Sequence, residues 1–134
     1  MAEAIARRHI LGGSLAGRDL FAASAGVSAM DGMPISRESI EALSRLGIDH
    51  TGVSKQHTPQ MIQAADLVLG MTAAHVDAAR QLVDGDPDAM ARIMVLDPDG
   101  DIEDPIGQEQ AVYDAVAERL GELIPQRLLQ ELSI

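Results

Sequence analysis

The stretch LVLGMTAAH, residues 67–75, joins a short apolar run to the start of a helix. A continuous apolar run of this length is typical of a strand that is covered on both faces. Thr72 follows the run as an N-cap, and helix-forming residues continue through residues 73–83. A strand that leads directly into a helix is the first half of a βαβ unit, so this stretch favours a parallel sheet.

The segments around this stretch repeat the same alternation. IMVL, residues 93–96, is a second apolar run that predicts a buried strand, and residues 20–24 predict a third, short one. The helices predicted around the strands cover residues 2–11, residues 36–47 with Ser36 as cap and Gly47 as stop, residues 58–65, and a long segment from Gln108 that Pro125 ends or kinks. Short apolar strands separated by helices predict an α/β fold with an open parallel sheet flanked by helices.

Composition limits the classes of function. The 134 residues are 46% apolar, which is enough for a core, and Phe21 and Tyr113 are the only aromatic residues, so that core is predicted to be aliphatic. A formal net charge of -11 argues against a nucleic-acid partner. The sequence contains no cysteine and no apolar run near the ~20 residues of a membrane span. We therefore expect a cytoplasmic protein that does not bind membranes and has no disulfide or cysteine-based metal site.

Three segments follow predicted strands, and the carboxyl ends of parallel strands are where the site of such a sheet lies. They are SAGVSAMDG (residues 24–32), TAAH (72–75) and DPDGDIEDPIG (97–107). The last is acidic enough to suggest calcium, but an EF-hand loop needs Gly at its sixth position and Glu at its twelfth. Counted from Asp97, those positions hold Ile102 and Gln108. A solvated acidic turn is the simpler interpretation, and a calcium-binding module is kept as a distant alternative.

Asp104 is the candidate catalytic residue of that loop. Pro105 restrains the backbone next to it, which would hold the carboxyl group on a stiff turn. A carboxyl group that can give up a proton and take it back serves phosphoryl transfer to and from an enzyme nucleophile. The loop by itself indicates only the acid half of such a mechanism.

Four motifs in order carry a resemblance to a known family. MAEAIARR (residues 1–8), SAGV (24–27), ADLVLGMTAAH (65–75) and DPIG (104–107) resemble the low-molecular-weight protein phosphatases, in particular the bacterial branch that includes protein arginine phosphatases. The resemblance implies one three-layer domain over residues 1–134. It also implies a phosphocysteine mechanism without a cofactor or metal, with Asp104 as general acid/base and Ser24 and Gly26 supporting the phosphate loop.

The same resemblance implies what this chain does not contain. In the family, a strand and a C-x5-R phosphate loop precede the helix that MAEAIARR resembles. We therefore expect an N-terminally truncated domain that lacks its first strand and is inactive as it stands. Its substrate would be a phosphorylated protein. Ile106 and Gly107 follow Asp-Pro, where tyrosine-directed members have aromatic residues, and this mildly favours phosphoarginine over phosphotyrosine.

Two further expectations concern partners and histidines. A pseudo-phosphatase that binds or scaffolds other proteins is the main alternative, with its sheet completed by a strand from a partner or by self-association. The histidines show no pair at metal-ligand spacing on one helix face, so each is expected to be exposed or in a turn. They are His9, His50, His57 and His75.

Overall fold

The computed structural model describes residues 1–12, 20–24, 36–49 and 58–132. Its elements are, in order, α1 (Ala2–Gly12), α2 (Arg37–Arg45), α3 (Pro59–Ala64), β1 (Val68–Gly70), α4 (Ala73–Leu82), α5 (Pro87–Ala91), β2 (Ile93–Val95) and α6 (Gln110–Leu132). The chain has the α/β fold that the sequence predicts. None of the helices in these ranges combines the length and the apolar character needed to cross a bilayer.

The two described strands form a parallel pair in which Leu69 is opposite Met94. The pairing extends beyond the strands, because Val68 N donates to Arg92 O at 2.9 Å and Leu96 N donates to Gly70 O at 2.9 Å. These bonds turn the backbone groups of Val68 and Gly70 toward β2, so those of Leu69 point to the opposite edge of β1. Both strands predicted from their apolar runs are confirmed.

Capping residues set where the helices begin. The hydroxyls of Ser36, Thr58 and Thr72 accept bonds from the backbone three residues later, at 3.1–3.2 Å. Asp86 does the same for α5, a short helix that the sequence analysis did not predict although Pro87 follows the cap. Gly47 follows α2 with φ at 75°, a conformation that glycine adopts without the strain of a Cβ atom. Local sequence therefore decides most helix ends.

The core is aliphatic and has two main parts. One part packs α1, α2 and α6 around Ile5, Leu43 and Leu120, and the other packs α3, α4 and α5 around Ile62, Val76 and Ile93. Of the two aromatic residues, Tyr113 is buried in a small adjoining cluster and Phe21 is 86% exposed. The packing thus depends on aliphatic side chains, as composition predicts.

The strand predicted at residues 20–24 is wrong, because the structure assigns no strand there. Its backbone instead bonds to side chains of α1. Arg7 Nε donates to Ala22 O at 3.2 Å, and Ser24 N donates to Glu3 Oε1 at 2.8 Å. An apolar run becomes a strand only when a neighbouring strand accepts its hydrogen bonds, and here a helix provides the partners.

Of the two outcomes predicted at Pro125, an end of the helix is wrong, because α6 continues through it to Leu132. Proline lacks an N–H, so the bond to the carbonyl of Gly121 is absent. The turns beyond compensate through tertiary contacts. Arg127 donates to Val95 O at 3.0 Å, and Leu128 packs against the core.

Candidate functional site

A cavity of about 320 Å³ lies beyond the carboxyl end of β1, as expected for the site of a parallel sheet. Met1 and Ala2 at the start of α1 form one side, together with Ser24. His75 and the acid loop, which we define as residues 97–109, form another. All three segments that the sequence analysis placed at this end of the sheet contribute to it, through Ser24, His75 and Asp104.

Asp104 lies in the acid loop with an exposed side chain at the cavity. Its Oδ1 accepts a hydrogen bond from Ile106 N at 3.1 Å, which spans Pro105. Pro105 is buried, so packing fixes the turn, while the side chain of Asp104 remains exposed at the cavity. The arrangement suits a group that exchanges a proton with a bound molecule, since it is both fixed and accessible.

The beginning of the acid loop is attached to α6. Asp97 is buried, and its Oδ2 accepts from Arg119 Nε at 3.0 Å and also from the Nη2 of that guanidinium. Asp97 Oδ1 accepts from Asp99 N at 2.9 Å. The bonds from Arg119, and secondly the bond from the Asp99 backbone, lower the pKa of the Asp97 carboxyl group from its ordinary value. The sequence analysis did not find this pair, because 22 residues separate its members.

The middle of the acid loop is attached to the turn between β1 and α4. Ile102 N donates to Met71 O at 2.8 Å, and Asp101 Oδ1 accepts from Ala73 N at 2.9 Å. The carboxylate of Asp101 thereby satisfies a free N–H at the start of α4. These two bonds hold the loop that carries Asp104 against the turn that precedes His75.

The acidic side chains of the loop therefore serve separate purposes. Asp97 pairs with Arg119, Asp101 caps α4, and Asp104 bonds within its own turn. Across the ranges that the structure describes, no three His, Cys, Asp or Glu residues are grouped so as to hold a metal ion. Each of these three carboxylates thus has a hydrogen-bond partner within the protein, and that of Asp97 is buried rather than solvated.

Ser24 borders the cavity and is fixed by α1. Glu3 Oε1 accepts from both Ser24 N at 2.8 Å and Ser24 Oγ at 3.1 Å. Glu3 is only 9% exposed and also forms an ion pair with Arg7 at 3.5 Å. The sequence analysis identified Ser24 but missed Glu3. The available signal for Glu3 was an acidic side chain in the first turn of α1, next to the predicted site. Gly26 lies outside the described residues.

The histidines occupy different places. His75 is half-buried in the first turn of α4 and lines the cavity, so it is neither simply exposed nor in a turn. His9 is also half-buried, in the last turn of α1, so the expectation is wrong for this residue too. His50 and His57 are outside the described residues. His75 therefore lines the candidate site, a position that the sequence analysis did not single out for this residue.

Sequence comparison finds that this chain is similar to known phosphatases. Residues 1–133 match the family described as low molecular weight phosphotyrosine protein phosphatase. A protein-arginine-phosphatase from Geobacillus stearothermophilus is 35% identical over 114 residues, which are 81% of this chain and 74% of that protein.

Solved structures agree as well. The YwlE arginine phosphatase from Geobacillus stearothermophilus superposes with a TM-score of 0.80 at 31% identity, over 98% of this chain and 82% of the other. A low molecular weight protein tyrosine phosphatase from T. tengcongensis gives a TM-score of 0.80 at 34% identity, over 96% and 88%. The family resemblance read from the motifs is confirmed, and the chain belongs to the low molecular weight phosphotyrosine protein phosphatase family.

Proposed function

We propose that this chain is part of a cytoplasmic protein phosphatase in which Asp104 is the general acid/base. The observation that carries the proposal is the cavity itself, which brings Asp104 together with Ser24 and the start of α1. A helix N-terminus offers unpaired N–H groups and a favourable dipole to an anion. The presence of the Asp104 carboxyl group on the same cavity supports its role in protonating the atom that leaves phosphorus.

The proposed chemistry has two steps. A cysteine thiolate attacks phosphorus while the bond from phosphorus to the substrate's oxygen or nitrogen breaks, and Asp104 gives its proton to that leaving atom. Asp104 then takes a proton from water as the water oxygen displaces the cysteine sulfur. Ser24 and Gly26 support the loop that binds the phosphoryl oxygens. The 134 residues contain no cysteine, so these residues alone are expected to form no phosphocysteine.

Phosphoarginine on proteins is the substrate that we favour over phosphotyrosine. Ile106 follows the Asp-Pro pair, lines the cavity and is 74% exposed, so an aliphatic side chain stands where a substrate would enter. An aromatic ring at that place would stack on a phenol ring, and isoleucine offers no such stacking. The arginine phosphatase activity named for Geobacillus stearothermophilus, both for a curated relative and for a solved structure, supports the same choice.

A strand from a partner or from a second copy belongs to the alternative proposal, a pseudo-phosphatase that binds other proteins. The backbone N–H and C=O of Leu69 point to the edge of β1 that no other described strand occupies. A strand that paired there would satisfy both groups, and β-augmentation is a common form of recognition. Deuterium exchange at the Leu69 amide should become slower when such a strand binds. An unchanged exchange rate in a stable complex would refute this docking mode.

The first experiment is the intact mass of the protein made from its native locus. A species heavier than 14.2 kDa with a thiol that alkylates, and with turnover of phosphoarginine, would support the proposal. Asp104→Asn in that species should lower kcat by about 10²- to 10⁴-fold. Turnover by the cysteine-free 134-residue chain would contradict the phosphocysteine mechanism. A mass of 14.2 kDa without turnover would favour a pseudo-phosphatase that binds other proteins.

A further inference from the structure

His75 lies on the same cavity as Asp104 but has no part in the chemistry described above. Among the described residues that line the cavity, it is the only one whose side chain can carry a positive charge. Glu103 and Asp104 bring negative charge to the same surface. Beside the N–H groups at the start of α1, His75 is therefore the side chain of this lining that can offset the two carboxylates for an anionic ligand.

Close packing between α4 and the end of β1 fixes the position of His75. A Cβ atom on Gly70 would lie 2.8 Å from Val76 Cγ2 and 3.5 Å from His75 Cβ. Only a glycine lets the first turn of α4 approach the strand this closely. Thr72 Oγ1 also accepts a hydrogen bond from His75 N at 3.1 Å, which fixes the backbone of that turn.

The acid loop is connected to the same turn. Asp101 Oδ1 accepts from Ala73 N, and Ile102 N donates to Met71 O, so two hydrogen bonds join the segments that carry His75 and Asp104. The two side chains thus belong to one supported wall of the cavity. Such support is what a group that contacts substrate requires, because its placement must persist when the ligand binds.

We propose that His75 contacts the phosphoryl group of the substrate, with an imidazole N–H donating a hydrogen bond to a phosphoryl oxygen. Imidazole keeps one N–H donor when neutral and has two when protonated, so it can act in either state. The inference rests on the proposed function, because it takes the cavity to be the phosphoryl site. It assigns to His75 the binding of the anion and leaves proton transfer to Asp104.

The test is a titration of the isotopically labelled 134-residue chain with inorganic phosphate, followed by two-dimensional NMR. Phosphate should shift the imidazole resonances of His75 together with the amides of Ala2 and Ser24, and it should leave His9 unchanged. His75→Ala should weaken phosphate binding by about tenfold or more, the usual effect of losing a hydrogen bond to a charged group. His75→Gln keeps an N–H donor and should lose less. His9→Ala is the matched control.

The outcomes separate the two proposals. If phosphate still shifts Ala2 and Ser24 but His75→Ala binds it as tightly as the parent, the inference is overturned and the proposed function remains. If phosphate shifts no cavity resonance, the inference is overturned. The proposed function remains, because its cysteine and phosphate loop are not among these 134 residues, and the turnover of the heavier species decides it. Circular dichroism checks that His75→Ala is folded, and if it is not, the His75 resonances in the parent and the affinity of His75→Gln decide.

Discussion

Replacing Gly70 by alanine tests the packing that joins β1 to α4. The added methyl group would lie 2.8 Å from Val76 Cγ2 and 3.3 Å from Val76 N. Valine is branched at Cβ, so its methyl group cannot rotate away freely, and the second neighbour is backbone. The helix must therefore move away from the strand, and His75 moves with it.

Two opposing terms set the size of the effect. Forcing a methylene-sized group into a packed site costs about 1–3 kcal/mol. Alanine in a strand avoids the conformational entropy cost of glycine, which is about 0.5–1 kcal/mol. Taken at the middle of both ranges, the expected net loss in the free energy of unfolding is about 1 kcal/mol, which corresponds to several degrees in Tm for a chain of this size.

Urea unfolding followed by circular dichroism measures this loss, with two glycines as matched controls. A Cβ atom on Gly100 or on Gly121 would meet nothing within 4 Å. Gly100→Ala should change the free energy of unfolding by less than about 0.5 kcal/mol. Gly121→Ala lies inside α6 and should raise it by up to about 1 kcal/mol. A Gly70→Ala variant as stable as the parent would refute the argument from close approach.

Three further changes test the core, a helix cap and the acid loop. Leu43 is 0% exposed, so Leu43→Ala should cost about 2–5 kcal/mol in urea unfolding. Thr72→Ala removes the bond to His75 N and should cost about 1 kcal/mol, measured in the same way. Asp97 has a lowered pKa in the folded state, so its contribution to stability is complete above the ordinary pKa of aspartate. That contribution is lost as the pH falls through the folded pKa, and Asp97→Asn should flatten the acid limb of a plot of Tm against pH.

Each of these has a result that would count against it. Leu43→Ala within 1 kcal/mol of the parent would mean that the site collapses around the cavity or is less packed than described. An unchanged stability in Thr72→Ala would show that water replaces the cap. An acid limb in Asp97→Asn as steep as in the parent would mean that the titration of Asp97 does not contribute measurably to the loss of stability at low pH.

The sequence alone was sufficient for features that depend on neighbouring residues. The apolar runs at residues 67–71 and 93–96 identified both strands, and Ser36, Thr58 and Thr72 marked helix starts because a cap bonds to an N–H three residues away. The Asp86-Pro87 pair carried an equally local signal for α5, which the sequence analysis did not use. Asp104 was identified in the same way, from its neighbour Pro105 and the family motif.

Features that depend on distant partners required the tertiary structure. Residues 20–24 are apolar enough for a strand, but their backbone groups form hydrogen bonds with the side chains of Glu3 and Arg7 instead. Proline disfavours a helix interior, but α6 continues through Pro125 because packing holds the turns beyond it. The spacing of residues along the chain does not predict such contacts.

Some features of the candidate site could likewise be predicted from sequence, and others required the tertiary structure. Motifs named Ser24 and Asp104 one at a time, whereas the cavity that they share with His75 arises only when α1, α4 and the acid loop are packed together. The Asp97–Arg119 pair and the bonds of Asp101 and Ile102 determine where the acid loop lies. The local sequence determines each helix, because the hydrogen bonds that form it join residues close in sequence. A cavity depends on the distances between elements, and packing sets those distances.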